Sequence, residues 1–217
     1  PRQEIFSGLF LYSLLLYYLS KKTGEHTMNP MMPRLRRLRQ HEALRNLVRE
    51  THLSVNDFVF PLFIKQGITE KKAISSMPGL FQLGLCHLEE EIKEIVALKI
   101  PAVLLFGIPE NEHKNETGSI ACHDDGIVQE AIRKIKQYAP NLLIISDICF
   151  CEYTSHGHCG PMTEKTGTPD VDSDLTLALL VEQSISHAKA GTHVIAPSGM
   201  MDGMVAAIRE GDRKSVV

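Results

Sequence analysis

Hydrophobic positions along this chain fall into two rhythms. Compact, mostly apolar runs occur at residues 57–64 (DFVFPLFI), 102–108 (AVLLFGI), 142–148 (LLIISDI) and 193–196 (HVIA). Strands that are apolar almost throughout are buried on both faces, which is the signature of a parallel sheet. Between these runs the apolar residues recur at helical spacing. Leu88, Ile92, Ile95 and Val96 share one side of a segment at 88–98, and Ile127, Ala131, Ile132 and Ile135 share one side of 127–138. A long helix is predicted over 175–190, closed by Gly191, and a further one from about 201 to 209. A short helix at 41–50 precedes them, with Leu44, Leu47 and Val48 spaced for one face.

Strand and helix in alternation give βα units, so the fold class is α/β. Four such units are visible. A (β/α)8 TIM barrel takes eight and typically ~250 residues. The pattern alone therefore allows half a barrel or a complete small open sheet.

Composition changes this picture little. With 43% hydrophobic residues the chain can build a sizeable core, and a net charge of -3 excludes a general polyanion binder. Arg34, Arg36, Arg37 and Arg39 form a basic run, but no second basic cluster or interleaved aromatic residue accompanies it. It reads as a solvated arm that pairs with acidic groups of a neighbouring subunit, and no nucleic acid is expected. Residues 5–19 are almost entirely apolar, yet a membrane span takes about 20 such residues. A membrane role is not expected, and residues 1–27 read as an extension not native to the domain.

The chemistry concentrates after the third apolar run. Of five cysteines, Cys149, Cys151 and Cys159 lie close together in DICFCEYTSHGHCG, while Cys86 and Cys122 stand apart. An odd count in a chain of this length argues against a disulfide framework and for metal or catalysis. Asp147, Cys149 and Cys151 follow at i, i+2 and i+4, so an extended backbone would point them to one face. They fall at the C-terminal end of a strand, where α/β folds build their sites. A glycine-containing loop can then return Cys159 to the pair. Three soft sulfur ligands with one open position suit catalytic zinc. His156 or His158 as a fourth ligand would make the site structural, and free thiols or a redox pair are the other readings. The fourth run ends in APSGMMDG, which puts Ser198 at another strand end and Asp202 in the first turn of the next helix. His113, His123 and His187 lie in polar surroundings and are expected at the surface.

Beyond the individual residues, D-x-C-x-C-x-Y-x-S-H-G-H-C-G resembles the metal-binding segment of zinc-type porphobilinogen synthases (5-aminolevulinate dehydratases). The resemblance extends from the arm (RLRRLR, LVRET) through FPLF, SMPG, LFGIP, Lys114, Gly118–Ser119 and Asp125–Gly126 to APS and MDG, over about residues 30–210. It implies a (β/α)8 barrel, here the first four βα units over 57–210, with an N-terminal arm over 28–56. It also implies condensation of two 5-aminolevulinate molecules to porphobilinogen with loss of two waters, in the cytoplasm, by a homo-octamer held through the arm. Cys149, Cys151 and Cys159 would bind Zn2+, with Mg2+ as an additional metal of the family, and Asp147 and Ser198 would line a substrate site. The family's two Schiff-base lysines would lie beyond Val217, with 211–217 an unmatched tail. Neither Lys189 nor Lys214 matches them, so no catalytic lysine is expected in this chain and the chain alone is expected to be inactive. The alternative is a non-catalytic zinc-binding module that docks on full-length subunits.

Overall fold

The computed structural model describes residues 36–165 and 167–215. The apolar run at 5–19 and Arg34 lie outside them. The chain divides into two compact units, Pro1–His52 and Leu53–Val217. In the first, a 3-10 turn at Arg37–Arg39 leads into helix α1 (Glu42–Leu47). The His41 ring caps α1 by accepting from the Ala43 N–H at 3.1 Å. Its expected apolar face is not covered within the unit, and Leu47 is 82% exposed.

The second unit is a sheet backed by helices. Its strands are β1 (Val59–Lys65), β2 (Lys72–Ala73), β3 (Phe81–Leu83), β4 (Ala102–Ile108), β5 (Leu143–Ile148) and β8 (Val194–Pro197), in the order β2-β3-β1-β4-β5-β8. A small hairpin, β6 (Met162–Thr163) and β7 (Asp170–Val171), stands apart from it. Every pairing from β3 to β8 is parallel, and β2 joins β3 antiparallel. The helices are α2 (Leu88–Ala97), α3 (Ile127–Tyr138), α4 (Ser173–Ala190) and α5 (Met204–Ser215). The four long apolar runs are strands as expected. Strands β2, β3, β6 and β7 are too short to leave a periodic signal, and β3 adds an unexpected parallel neighbour to β1.

Burial departs from the expectation of strands covered on both faces. Leu62, Ile64, Val103, Leu105 and Ile144 are at most 1% exposed and pack in one core with Ile92 and Ile95 of α2 and Ile132 and Ile135 of α3. The opposite face, which carries Phe63, Leu104, Phe106, Ile145 and Asp147, is only half-buried. Helices cover one side of the sheet, and the described residues leave the other only half-covered. Phe63 and Phe106 stack on that face with ring centroids 5.0 Å apart.

Helix α4 is fixed at both ends. The Asp172 side chain caps it by accepting from the Leu175 N–H at 3.2 Å, and Lys165 reaches the same carboxylate at 2.8 Å. At the other end Gly191 has φ 107, a left-handed conformation that costs a glycine little. Helix α5 begins later than the sequence suggests, because a turn at 202–203 precedes it. Asp202 is thus exposed ahead of the helix rather than in its first turn.

Candidate active site

The parallel register builds the site from strand ends. Phe63 pairs with Phe106, and Lys65 with Ile108. Ser146 pairs with Leu105 on one side and with Ile195 on the other, and Asp147 with Ala196. Alternation then stacks two layers on the half-buried face. The lower one holds Phe63, Phe106, Asp147 and Ala196. Continuing the strands by one step puts Lys65, Ile108, Cys149 and Ser198 in the upper layer, at the C-terminal edge of the sheet.

Asp147 and Ser198 meet there. Burial raises the Asp147 pKa most, the nearby Ser198 side chain lowers it, and the charge of Glu152 raises it. The Ser198 N–H extends the β5–β8 ladder to the Ile148 carbonyl at 3.2 Å.

The thiols are arranged differently from the expectation. Strand β5 stops at Ile148, and the carbonyl of Phe150 accepts from the N–H groups of both Tyr153 and Thr154 at 2.9 Å. Cys151 therefore sits in a tight turn, and an extended i, i+2, i+4 face does not describe it. The turn still brings the pair together: the Cys149 thiol donates to the Cys151 sulfur at 3.4 Å. Cys149 is 8% exposed. Desolvation pushes the Cys151 thiol up to about 12, helped by the hydrogen bond and charge of Cys149 and then by Glu152 and Cys159. Cys159 lies in the return loop, with its sulfur 4.0 Å from that of Met201.

Among the described residues no group of three or more His, Cys, Asp or Glu side chains is gathered closely enough to hold a metal ion. The donor set nonetheless fits zinc. Two thiolates on one tetrahedral zinc, at bonds of about 2.3 Å, stand roughly 3.8 Å apart. A separation of 3.4 Å is near that value and far above a disulfide bond. Two adjacent thiolates repel each other unless a cation lies between them, and a metal inverts the balance that now keeps the Cys151 proton on. His156 is not a free ligand. Its Nδ1 accepts from the His158 N–H at 3.2 Å, and its Nε2 meets the Glu116 carbonyl at 3.1 Å.

Tyr153 supports the turn from below. It is 5% exposed, and a Cβ built on Gly107 would stand 2.2 Å from its hydroxyl oxygen. Glycine at that point of β4 thus makes room for the ring.

Several functional candidates escaped the sequence reading. Lys65 is a lysine at the sheet's C-terminal edge, readable only from its spacing two residues past Phe63. His187 is a correction: it is 0% exposed rather than at the surface. Burial lowers its pKa to about 4, and neither ring nitrogen has a hydrogen-bond partner among the described residues. Gln183, one turn earlier on α4, is also 0% exposed. Lys189 is exposed in the last turn of α4.

A mostly parallel sheet backed by helices, with polar groups gathered at the C-terminal strand ends, defines the α/β class of (β/α)8 barrels. The chain presents about four βα units of that fold, with the sheet open rather than closed. Comparison with known proteins then gives the family. The profile of "Delta-aminolevulinic acid dehydratase" matches residues 32–215. The chain belongs to this family. It is 49% identical over 178 residues to the delta-aminolevulinic acid dehydratase of Halalkalibacterium halodurans, covering 82% of this chain and 52% of the relative. It is 51% identical over 177 residues to that of Synechocystis, covering 82% and 54%. It is also similar to the crystal structure of the Toxoplasma gondii enzyme in complex with the reaction product porphobilinogen. There the TM-score is 0.78 at 34% identity, with 86% of this chain and 52% of that chain covered. The chain thus spans about half the length of the curated relatives it matches.

Proposed function

We propose that this chain is the metal-binding part of a porphobilinogen synthase, a hydro-lyase that condenses two molecules of 5-aminolevulinate to porphobilinogen with loss of two waters. The observation that carries this reading is the placement of the Cys149–Cys151 pair, 3.4 Å apart, at the same sheet edge as the neighbouring Asp147 and Ser198. Cys149, Cys151 and Cys159 would hold Zn2+, which supplies Lewis acidity toward a substrate oxygen when bound. Asp147 and Ser198 would line the substrate site together, their oxygens offering acceptors for a substrate ammonium. Phe63 and Phe106 form an apolar floor beside Asp147 and exclude water from that side.

An imine to the substrate ketone requires a lysine amine, activated by an apolar pocket or by a neighbouring cation. Lys65 lies at the sheet edge but lines an open cleft of about 530 Å3 with Glu110, Glu112 and Lys114, where two carboxylates outweigh the one neighbouring cation. Nothing there encloses the amine in an apolar pocket. The chain alone is therefore proposed to be inactive, and Mg2+ as an additional metal would bind elsewhere, since it prefers oxygen ligands.

Cytoplasmic location and assembly through the arm belong to the same reading. No helix among the described residues is long and apolar enough to cross a membrane. The uncovered Leu47 and Val48 of the arm suit contact with another subunit, as an octamer would supply. The second reading, a zinc-binding module that docks on full-length subunits, draws on the open edge of β8. Porphobilinogen formation is the test: the chain is assayed with 5-aminolevulinate and zinc, alone and mixed with a full-length relative carrying serine at its metal-site cysteines. Activity restored only in the mixture, and lost with Cys149→Ser, supports the metal-binding part. No restoration despite zinc bound to the chain refutes it.

A further inference from the structure

The backbone that presents the two thiols changes from one hydrogen-bonding system to another within three residues. The Ile148 carbonyl is the last of the sheet, accepting from the Ser198 N–H at 3.2 Å. The Phe150 carbonyl is the first of the turn, accepting from Tyr153 and Thr154. Between them, neither sheet nor turn provides a donor for the Cys149 carbonyl. That donor comes from α4: Nε2 of Gln183 reaches the Cys149 oxygen at 3.3 Å. The two residues are 34 apart in sequence.

The bond is made inside the protein. Gln183 is 0% exposed, and the bond to the Cys149 carbonyl is what its amide gains there, since its Oε1 has no hydrogen-bond partner among the described residues. Helix α4 could satisfy its own packing with an apolar residue at this position, as it does with Leu180. The helix is anchored at both ends, by the Asp172 cap and the Thr176 hydroxyl bonded to the Asp172 carbonyl at 2.7 Å, and by Gly191.

We infer that Gln183 is a positioning residue. Its hydrogen bond to the Cys149 carbonyl sets the peptide plane between strand and turn, and thereby the 3.4 Å approach of the Cys149 and Cys151 sulfurs. The inference rests on the proposed function only in treating those two thiols as a working pair. Removing the donor leaves the carbonyl buried without a partner, so the peptide rotates toward another one and the sulfurs separate.

Phenylarsine oxide tests this without any metal, because it bridges two neighbouring thiols. Two As–S bonds form, and the two thiol protons leave with the oxide oxygen as water. The full chain is titrated with the reagent as wild type, Gln183→Met and Gln183→Leu, with Cys149→Ser marking capture at this pair. Folding is followed by far-UV circular dichroism, and zinc affinity is measured separately. Both variants should stay folded and lose at least about tenfold in affinity for the reagent, with zinc affinity falling by about 10–100-fold. Unchanged capture in the folded variants overturns the inference. So does failure of the wild type to capture the reagent, or loss of folding in both variants, which would make Gln183 a plain core residue. Capture that depends on Gln183 in a chain with no zinc affinity would leave the positioning role intact and reject the zinc site.

Discussion

His187 makes the stability of this fold depend on acidity in a defined window. The ring is 0% exposed, and desolvation lowers its pKa from 6.5 to about 4. In the unfolded chain it titrates near the ordinary value. Between those two values the unfolded state binds a proton that the folded state does not. Stability is therefore full above about pH 6.5 and falls as pH drops toward 4, with no further loss from this group below that. Each pKa unit corresponds to about 1.4 kcal/mol, so going from about pH 7 to about pH 4.5 should remove about 2.4 kcal/mol. Carboxylates titrate over the lower part of the same range, so the contribution is isolated by comparison with His187→Leu. Urea unfolding of both proteins is followed by circular dichroism at the two pH values. The wild type should lose about 2.4 kcal/mol more than the variant. Equal losses in the two proteins would refute the reasoning, since the ring would then be hydrogen-bonded or hydrated well enough to titrate normally.

Other predictions concern the site and the sheet. The chain should bind about one zinc, and Cys149→Ser or Cys159→Ser should weaken it sharply; undiminished zinc in the triple serine variant, read by elemental analysis, would reject the ligand set. Strand β8 ends the sheet with Val194 41% exposed, so the chain should self-associate and Val194→Lys should reduce this in sedimentation experiments. A sharp, reversible unfolding of a wild-type monomer would contradict that expectation. Borohydride reduction in the presence of 5-aminolevulinate should leave Lys65 and Lys189 unlabelled in the peptide mass spectrum, and a stable adduct on either together with turnover would overturn the proposed inactivity.

The sequence reading succeeded where burial is apolar. β4 and α3 were placed at their observed ends because Val103, Leu105, Ile132 and Ile135 are core residues with clear periods. It failed on α4's inner face, where Thr176, Gln183, Ser184 and His187 are buried. That stripe has helical spacing but polar chemistry, so His187 read as a surface residue. The cysteine cluster was legible as donors, while its geometry was not. The strand ends one residue before Cys149, and the pairing of Cys149 with Cys151 depends on a turn whose key donor comes from Gln183. No local pattern near residue 150 contains that information.

The charges at the sheet edge would favour a cation among these residues. If Cys149, Cys151 and Asp147 were all ionised, three negative groups would crowd the ends of β5 and its following turn, with Glu152 beside them. Without a metal the retained thiol proton of Cys151 relieves part of this. The Cys151 thiol is pushed up to about 12, and burial raises Asp147 as well. In the upper layer of the half-buried face, Lys65 is the one cationic side chain among the strand positions described, and it is on β1, two strands away from Cys149. It is too distant in the sheet to neutralise the thiol pair, because strands stand about 4.8 Å apart. A divalent ion bound between the sulfurs would replace the protons directly. Zinc binding should therefore release thiol protons and weaken as pH falls, and proton release measured by titration in unbuffered solution would register it. Zinc bound with no proton release would mean that the thiols are not its ligands.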